Sequence, residues 1–297
     1  GGGCYTFGNV SIGAYSGLYI TEATKNVFLG YVAGLYNTTG DYNIFVGNAA
    51  GYGNTSGYAN VFAGCYAGRC NTTGYYNIFL GSSAGKFNTV GYDNLFMGHG
   101  AGLCNVNGYM NNFLGPYSGK CNTSGCYNNF LGLFAGSGNT TGINNNFIGR
   151  FAGYGNTTGS DNIYVGDSTG TSNTTGSNNV YLGKQAGGGG SSTASGNVYL
   201  GKFAGYATTS GSCNTFIGFE SAFFQDTGSN NIAIGCKAGQ DAVFTLFSQS
   251  DRIVLGNNAH TNAYIKVNWT VTSDERDKTC ITPIRHGSNF LNQLTPI

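Results

Sequence analysis

Residues 26–42 read NVFLGYVAGLYNTTGDY, and residues 43–59 read NIFVGNAAGYGNTSGYA. The two stretches share Asn, Phe, Gly, Ala-Gly and Asn-Thr-x-Gly at the same places, so the chain repeats every 17 residues. The repeat starts at Asn9 and resumes at Asn197 after a one-residue insertion within 187–195. A fixed period of this kind indicates a protein built from stacked structural units.

Fourteen copies keep Asn at the first position and Gly at the fifth. The third position is aromatic in twelve of them, and the fourth is apolar throughout. Adjacent residues of a strand point to opposite faces. We therefore predict one short strand per copy, with an aromatic ladder on one face and an aliphatic ladder on the other.

The remaining columns of the repeat suit turns and a narrow interior. Gly47 ends its strand where a positive φ or a close backbone approach is needed. Ala50, at the eighth position, fits a tight interior. The stretch Asn37–Gly40 has turn chemistry, and we expect Gly40 to adopt the left-handed conformation.

A unit of 17 residues cannot bury its own apolar face, whereas stacked units can. The predicted fold is therefore all-β, a stacked-coil parallel β-roll or β-solenoid, with residues 9–239 spanning about 65 Å at ~4.8 Å per coil. Whichever ladder fills the coil, the other one faces outward and exceeds the apolar patch of a typical soluble monomer. We therefore predict an obligate homo-oligomer, a parallel homotrimer about the fibre axis.

Composition excludes several functional classes. The 52 glycines and 8% charged residues do not fit an ordinary enzyme, and the 14% aromatics do not fit a disordered linker. A net charge of +1 predicts no nucleic-acid partner, and the lack of a long apolar run predicts no membrane insertion.

Neither a metal nor a cofactor is predicted. The nine cysteines follow no zinc pattern, and the three histidines are scattered. Cys104 and Cys121 fall one coil apart in the eleventh column, which allows either a disulfide or, as we prefer, buried free thiols. Nine N-x-S/T motifs are interpreted as turn chemistry rather than glycosylation sites.

One copy resembles a known repeat. Residues 230–238 read NNIAIGCKA, which is similar to the N-x-V-A-I-G-x-x-A unit of trimeric autotransporter adhesin heads. The other copies place an aromatic residue where that family has Ala. The resemblance implies a trimeric left-handed parallel β-roll.

Composition changes after residue 272, where charged residues cluster. Ser273, Asp274, Arg276 and Lys278 match the S-D-x-R-x-K signature, and residues 290–296 (FLNQLTP) fit the pattern that follows it. This stretch resembles the start of the intramolecular chaperone domain of phage and viral tail fibres and of endosialidase-type tailspikes. We accordingly divide the chain into a repeat shaft (1–239), a β-rich tip or connector (240–272) and the beginning of a chaperone domain (273–297).

The family's chaperone trimerises the fibre and then cuts itself off. The resemblance implies that Ser273 attacks, that Lys278 accepts its proton, and that the bond between Thr272 and Ser273 is cut. A Ser–Lys pair suits this chemistry because a desolvated Lys can act as a base. Self-cleavage is the one enzymatic activity we predict.

The predicted function is that of an extracellular structural fibre, a virion tail fibre or cell-surface appendage, which trimerises and presents a surface for attachment. A cell-surface glycan or receptor is the expected partner besides the chain itself, and tyrosines near the turns, such as Tyr58, Tyr92 and Tyr109, are candidates to stack on sugars. Two alternatives stay open at this point. One is a cellular trimeric adhesin or extracellular filament, and the other is an ice- or glycan-binding solenoid.

Overall fold

The computed structural model describes residues 8–190, 192–240 and 244–261. Within these ranges the chain forms fifteen three-residue strands in a single sheet, and none of the residues described is helical. The strands are β1 (Val10–Ile12), β2 (Val27–Leu29), β3 (Ile44–Val46), β4 (Val61–Ala63), β5 (Ile78–Leu80), β6 (Leu95–Met97), β7 (Asn112–Leu114), β8 (Asn129–Leu131), β9 (Asn146–Ile148), β10 (Ile163–Val165), β11 (Val180–Leu182), β12 (Val198–Leu200), β13 (Thr215–Ile217), β14 (Ile232–Ile234) and β15 (Ile253–Leu255).

Each strand pairs in parallel with the strand of the next coil, and the strands follow chain order across the sheet. The register matches repeat position to repeat position, as in the pairing of Phe28 with Phe45. The one-residue insertion is absorbed between β11 and β12, where Val180 pairs with Val198. The stacked-coil, all-β parallel solenoid predicted from the 17-residue period is confirmed.

The aromatic ladder fills the coil. Eleven of its twelve rings, and Tyr181 to within 1%, have no exposed surface, and neighbouring rings stack with centroids 4.6–5.2 Å apart. Stacked aromatic pairs contribute about 0.5–1.5 kcal/mol each beyond the burial of their area. The ladder runs from β2 to β13 and consists of Phe28, Phe45, Phe62, Phe79, Phe96, Phe113, Phe130, Phe147, Tyr164, Tyr181, Tyr199 and Phe216.

Close contacts between coils explain the glycines. Gly64 combines a φ of 141° with a site where a Cβ atom would lie 2.5 Å from the backbone of Gly81. Both reasons predicted for glycine at the fifth position, a positive φ and a close backbone approach, therefore apply. The prediction for Gly40 is wrong, because its φ is not positive. Gly40 is required instead because a Cβ atom would clash with the carbonyl oxygen of Gly57 in the next coil.

The left-handed conformation occurs at the ninth position of the repeat, which is nearly always glycine, and at the seventh and seventeenth positions, which mostly carry side chains. Val32 at the seventh position has a φ of 50°, and Tyr42 at the seventeenth has a φ of 59°. Each such residue costs roughly 1–2 kcal/mol. The strain is offset by bonds between coils, since the amides of Val32 and Tyr42 donate to the carbonyls of Ala14 and Thr24.

Two asparagine ladders supply the polar part of the interior. At the first position, Asn43 accepts the amide of Asn60 at 3.0 Å and donates to the carbonyl of Gly57 at 2.8 Å. At the twelfth position, Asn54 donates to the side-chain oxygen of Asn37 at 2.5 Å and also to Gly57. All four asparagines are fully buried. These four amides are therefore paired, as a dry interior demands, and among the described ladder asparagines the side-chain oxygen of Asn156 is the one without a partner.

The last strand lies in a stretch that departs from the period. β15 pairs with β14, so that Ala233 lies against Val254, 21 residues along the chain. The small Ala233 replaces an aromatic ring in the interior, and the fully buried Leu246 packs in the same core. Residues 251–256 thus continue the stack.

Candidate functional surface

The outer side of the sheet is a continuous apolar surface. It is formed by the first and third residues of every strand β1–β15, and we call it the sheet face. Its side chains range from half-buried, as on β2 and β4, to exposed, as in Ile44 (42%), Ile78 (41%) and Met97 (42%). None of these outward strand residues is charged, and the polar ones are Asn112, Asn129, Asn146 and Thr215.

The area of the sheet face can be compared with known surfaces. An aliphatic side chain exposed by two-fifths leaves on the order of 40 Å² open. Two outward residues on each strand together then expose on the order of 1,000 Å² of apolar surface. Monomeric proteins expose at most about 300–600 Å² in one patch, whereas stable interfaces bury about 800 Å² per partner. The sheet face therefore has the size of an interface.

A second surface feature is the tyrosine stack, which comprises Tyr58, Tyr75, Tyr92 and Tyr109. Successive rings lie 4.8–5.0 Å apart and within 8° of parallel. Each inner ring therefore has both faces covered by its neighbours, and only edges and hydroxyl groups remain for a ligand. Electrostatic repulsion from the neighbouring Cys126, followed by the hydrogen bond with Tyr127, raises the pKa of Tyr109 to about 12.

Aromatic rings with freer faces gather on the first coils. Tyr15, Tyr19, Tyr31 and Tyr52 line a shallow depression of about 390 Å³ together with Leu18 and Leu35. Tyr15 is 59% exposed, and it meets Tyr31 edge to face rather than in a stack. Exposed aromatic faces beside hydroxyl groups can bind flat apolar rings, sugar rings included. We call this feature the aromatic depression.

The residues predicted for self-cleavage, Ser273 and Lys278, lie outside the described residues, as does the bond between Thr272 and Ser273. Among the described residues, no group of three or more His, Cys, Asp and Glu side chains could hold a metal ion. His99 packs edge to face against Tyr117 at 5.0 Å, which is a structural contact.

The cysteines of the eleventh column are free thiols, as preferred from the sequence. Their predicted place in the interior is wrong, because Cys104 and Cys121 are only half-buried and Phe87 in the same column is 42% exposed. The eleventh column lies outside the core because the twelfth residue, an asparagine, turns inward instead. Partial burial, and then the neighbouring Cys121, raises the pKa of the Cys104 thiol.

Most N-x-S/T motifs are part of the folded interior. Their asparagines belong to the twelfth-position ladder and are fully buried, which confirms the interpretation as turn chemistry for these seven. Asn9 is half-buried and donates to the carbonyl of Ala23, and Asn268 lies outside the described residues. The seven buried motifs begin at Asn37, Asn54, Asn71, Asn122, Asn139, Asn156 and Asn173.

Comparison with known proteins adds no relative. No protein-family model matches the chain, and neither a curated protein nor a solved structure matches it. Within the part of the chain that the structure describes, no helix is long and apolar enough to cross a membrane.

Proposed function

We propose that this chain is a structural fibre segment that assembles with copies of itself through the sheet face. The observation that carries the proposal is the exposed, uncharged apolar surface along β1–β15, which is too large for a typical monomer. The inward aromatic ladder and the asparagine ladders already satisfy the interior of the coil. The sheet face therefore contributes little to folding and is available for a partner.

A parallel homotrimer is the assembly we favour. Each strand has only three residues, so the sheet face is narrow and long. Three narrow stripes can meet around a common axis, where each one is covered by the other two. The context we propose is extracellular, in a virion tail fibre or a comparable cell-surface appendage, and the tail-fibre chaperone signature at Ser273–Lys278 is the sequence feature that supports it. Self-cleavage between Thr272 and Ser273 belongs to the same proposal.

The native mass of the protein tests this assembly, by light scattering or native mass spectrometry in non-reducing buffer. We expect the mass of three chains. The double substitution Ile78→Arg and Met97→Arg places two charges on the sheet face, and we expect it to yield folded monomers. Val90→Arg is the matched control, since Val90 is 46% exposed but lies off the sheet face. A wild-type protein that stays a soluble monomer would overturn the proposal.

A glycan-binding solenoid is the second candidate, and the aromatic depression is the observation that favours it. An ice-binding surface has less support, because the threonine hydroxyls at the thirteenth position are bonded within the stack. Thr38, for example, donates its hydroxyl to the carbonyl of Thr55 at 3.1 Å. Binding of oligosaccharides to a monomer, lost on Tyr31→Ala, would move this candidate to the front.

A further inference from the structure

Three consecutive asparagines interrupt the sheet face. Asn112, Asn129 and Asn146 occupy the first outward position of β7, β8 and β9. The same position in every other strand holds Val, Ile, Leu or, once, Thr. The second outward position of the same strands stays apolar, with Leu114, Leu131 and Ile148. A polar band therefore crosses one side of an otherwise apolar stripe.

The coil itself does not need these amides. Among their side chains there is a single hydrogen bond, which Asn129 donates to the side-chain oxygen of Asn146 at 3.1 Å. By contrast, the buried ladder asparagines bond to backbone groups of their own and neighbouring coils. Asn is also disfavoured in strands relative to Val or Ile, which hold the same backbone position in β4 and β5. Folding of the coil therefore does not explain why asparagine occupies these three positions.

A uniform apolar stripe has a defect as an interface. The coils repeat at ~4.8 Å. Two copies that are displaced by one coil would therefore make contacts equivalent to those of two aligned copies. A polar band removes this degeneracy, because a shifted copy buries amide groups against aliphatic side chains without hydrogen bonds. A single buried asparagine sets the register of two-stranded coiled coils for the same reason.

We propose that Asn112, Asn129 and Asn146 set the axial register in which parallel copies of this chain pack on one another. In the aligned state the three amides of each copy lie level with those of its neighbours and bond to them. The inference rests on the proposed self-assembly through the sheet face. The aligned state should be favoured over the next offset by at least about tenfold, as expected for leaving buried amides unpaired.

The test compares the wild-type assembly with the triple variant Asn112→Val, Asn129→Val and Asn146→Val by electron cryomicroscopy and native mass. We expect a single axial offset in the wild type, with the bands level. The variant should keep its oligomeric mass but spread over several offsets or form staggered assemblies. The control is the double variant Asn48→Val and Asn107→Val, since both residues are exposed asparagines off the sheet face. It should keep the single offset.

A second variant moves the band instead of removing it. In the triple-Val background, Ile163→Asn, Val180→Asn and Val198→Asn place the asparagines on β10, β11 and β12. Mixed with wild-type chains, these copies should assemble with an axial displacement of about 14 Å, which is three coils.

The outcomes separate the two proposals. A monomeric wild type overturns the self-assembly and the register inference together. An oligomeric wild type whose offset is unchanged in the triple-Val variant, with no displacement in the mixed assembly, overturns the register inference alone.

Discussion

The two halves of the stack hold the same backbone with different side chains. In residues 43–110 the sixteenth position carries the tyrosine stack, and the interior pairs phenylalanines with the asparagine ladder. In residues 160–250 the sixteenth position is serine, whose hydroxyl accepts an amide of the preceding coil, as Ser177 does from Ser160 at 2.9 Å. The serine ladder comprises Ser160, Ser177, Ser195, Ser212, Ser229 and Ser250.

The interior changes in the same direction. Phenylalanine is replaced by Tyr164, Tyr181 and Tyr199. At the twelfth position, the coil of Tyr164 has Asn173, where the asparagine ladder ends, and the coil of Tyr199 has Thr208. Tyr199 donates its hydroxyl to Thr208 at 3.1 Å, so the phenol oxygen takes over the polar space of the missing amide. The two halves share their glycines and their first-position asparagines. At the other positions of the repeat the residues differ, and residues that contact one another change together.

The ladder of the first half should be the most sensitive. Asn71→Ala would leave the side chains of Asn54 and Asn88 and the carbonyl of Gly74 without their bonds to Asn71. The carbonyl of Gly74 keeps its bond from Asn60 and Asn88 keeps its bond to Gly91, so only the side-chain oxygen of Asn54 is left unpaired. We expect a loss of roughly 2–4 kcal/mol in the free energy of unfolding, because three buried hydrogen bonds are lost at about 0.5–1.5 kcal/mol each. Thr208→Val, the counterpart in the second half, should cost about 1–2 kcal/mol through the single bond to Tyr199.

Urea denaturation followed by circular dichroism measures both losses. Equal losses for the two variants would contradict the view that the halves differ in how their interiors are bonded.

The sixteenth position should show a smaller contrast. Tyr75→Ala removes two stacked contacts, to Tyr58 and Tyr92, and an edge contact with Tyr76, and should cost about 1–3 kcal/mol. Ser177→Ala removes one partly exposed hydrogen-bond acceptor and should cost about 0.5–1.5 kcal/mol. The same denaturation experiment gives both values. A larger loss for Ser177→Ala than for Tyr75→Ala would contradict the expectation that the tyrosine stack stabilises the fold more than the serine ladder does.

Alkaline pH should separate the halves by their buried phenols. Burial raises the pKa of Tyr164, Tyr181 and Tyr199 above the usual value. A raised folded-state pKa means that the stabilisation is fully present below about pH 10 and is lost as the pH rises through the folded-state pKa. We expect the ultraviolet titration of these three phenols to coincide with unfolding above pH 10.

The triple variant Tyr164→Phe, Tyr181→Phe and Tyr199→Phe should unfold at higher pH than the wild type. Phenols that titrate near pH 10 in the still-folded protein would show that the rings are accessible to water.

Much of this architecture follows from the column pattern alone. The strand at Val27–Leu29, the buried Ala33 and the glycine at the strand end were all predictable, because each column repeats often enough to reveal its constraint. The left-handed residues Val32 and Tyr42 were not predictable, since neither residue type favours that conformation. The partial exposure of the eleventh column was not predicted either, because side chains in short turns do not point inward and outward in a regular alternation.

The sequence by itself determined the period, the all-β class, the stacking of coils and the existence of two opposed ladders, because every one of these is written repeatedly along the chain. Only the tertiary structure decided that the aromatic ladder is the inner one. Alternation along a strand is symmetrical and cannot tell inside from outside. The choice depends on whether the remaining residues of each coil leave room for a ring, and that room exists only once the turns, the small alanines and the buried asparagines have closed around it.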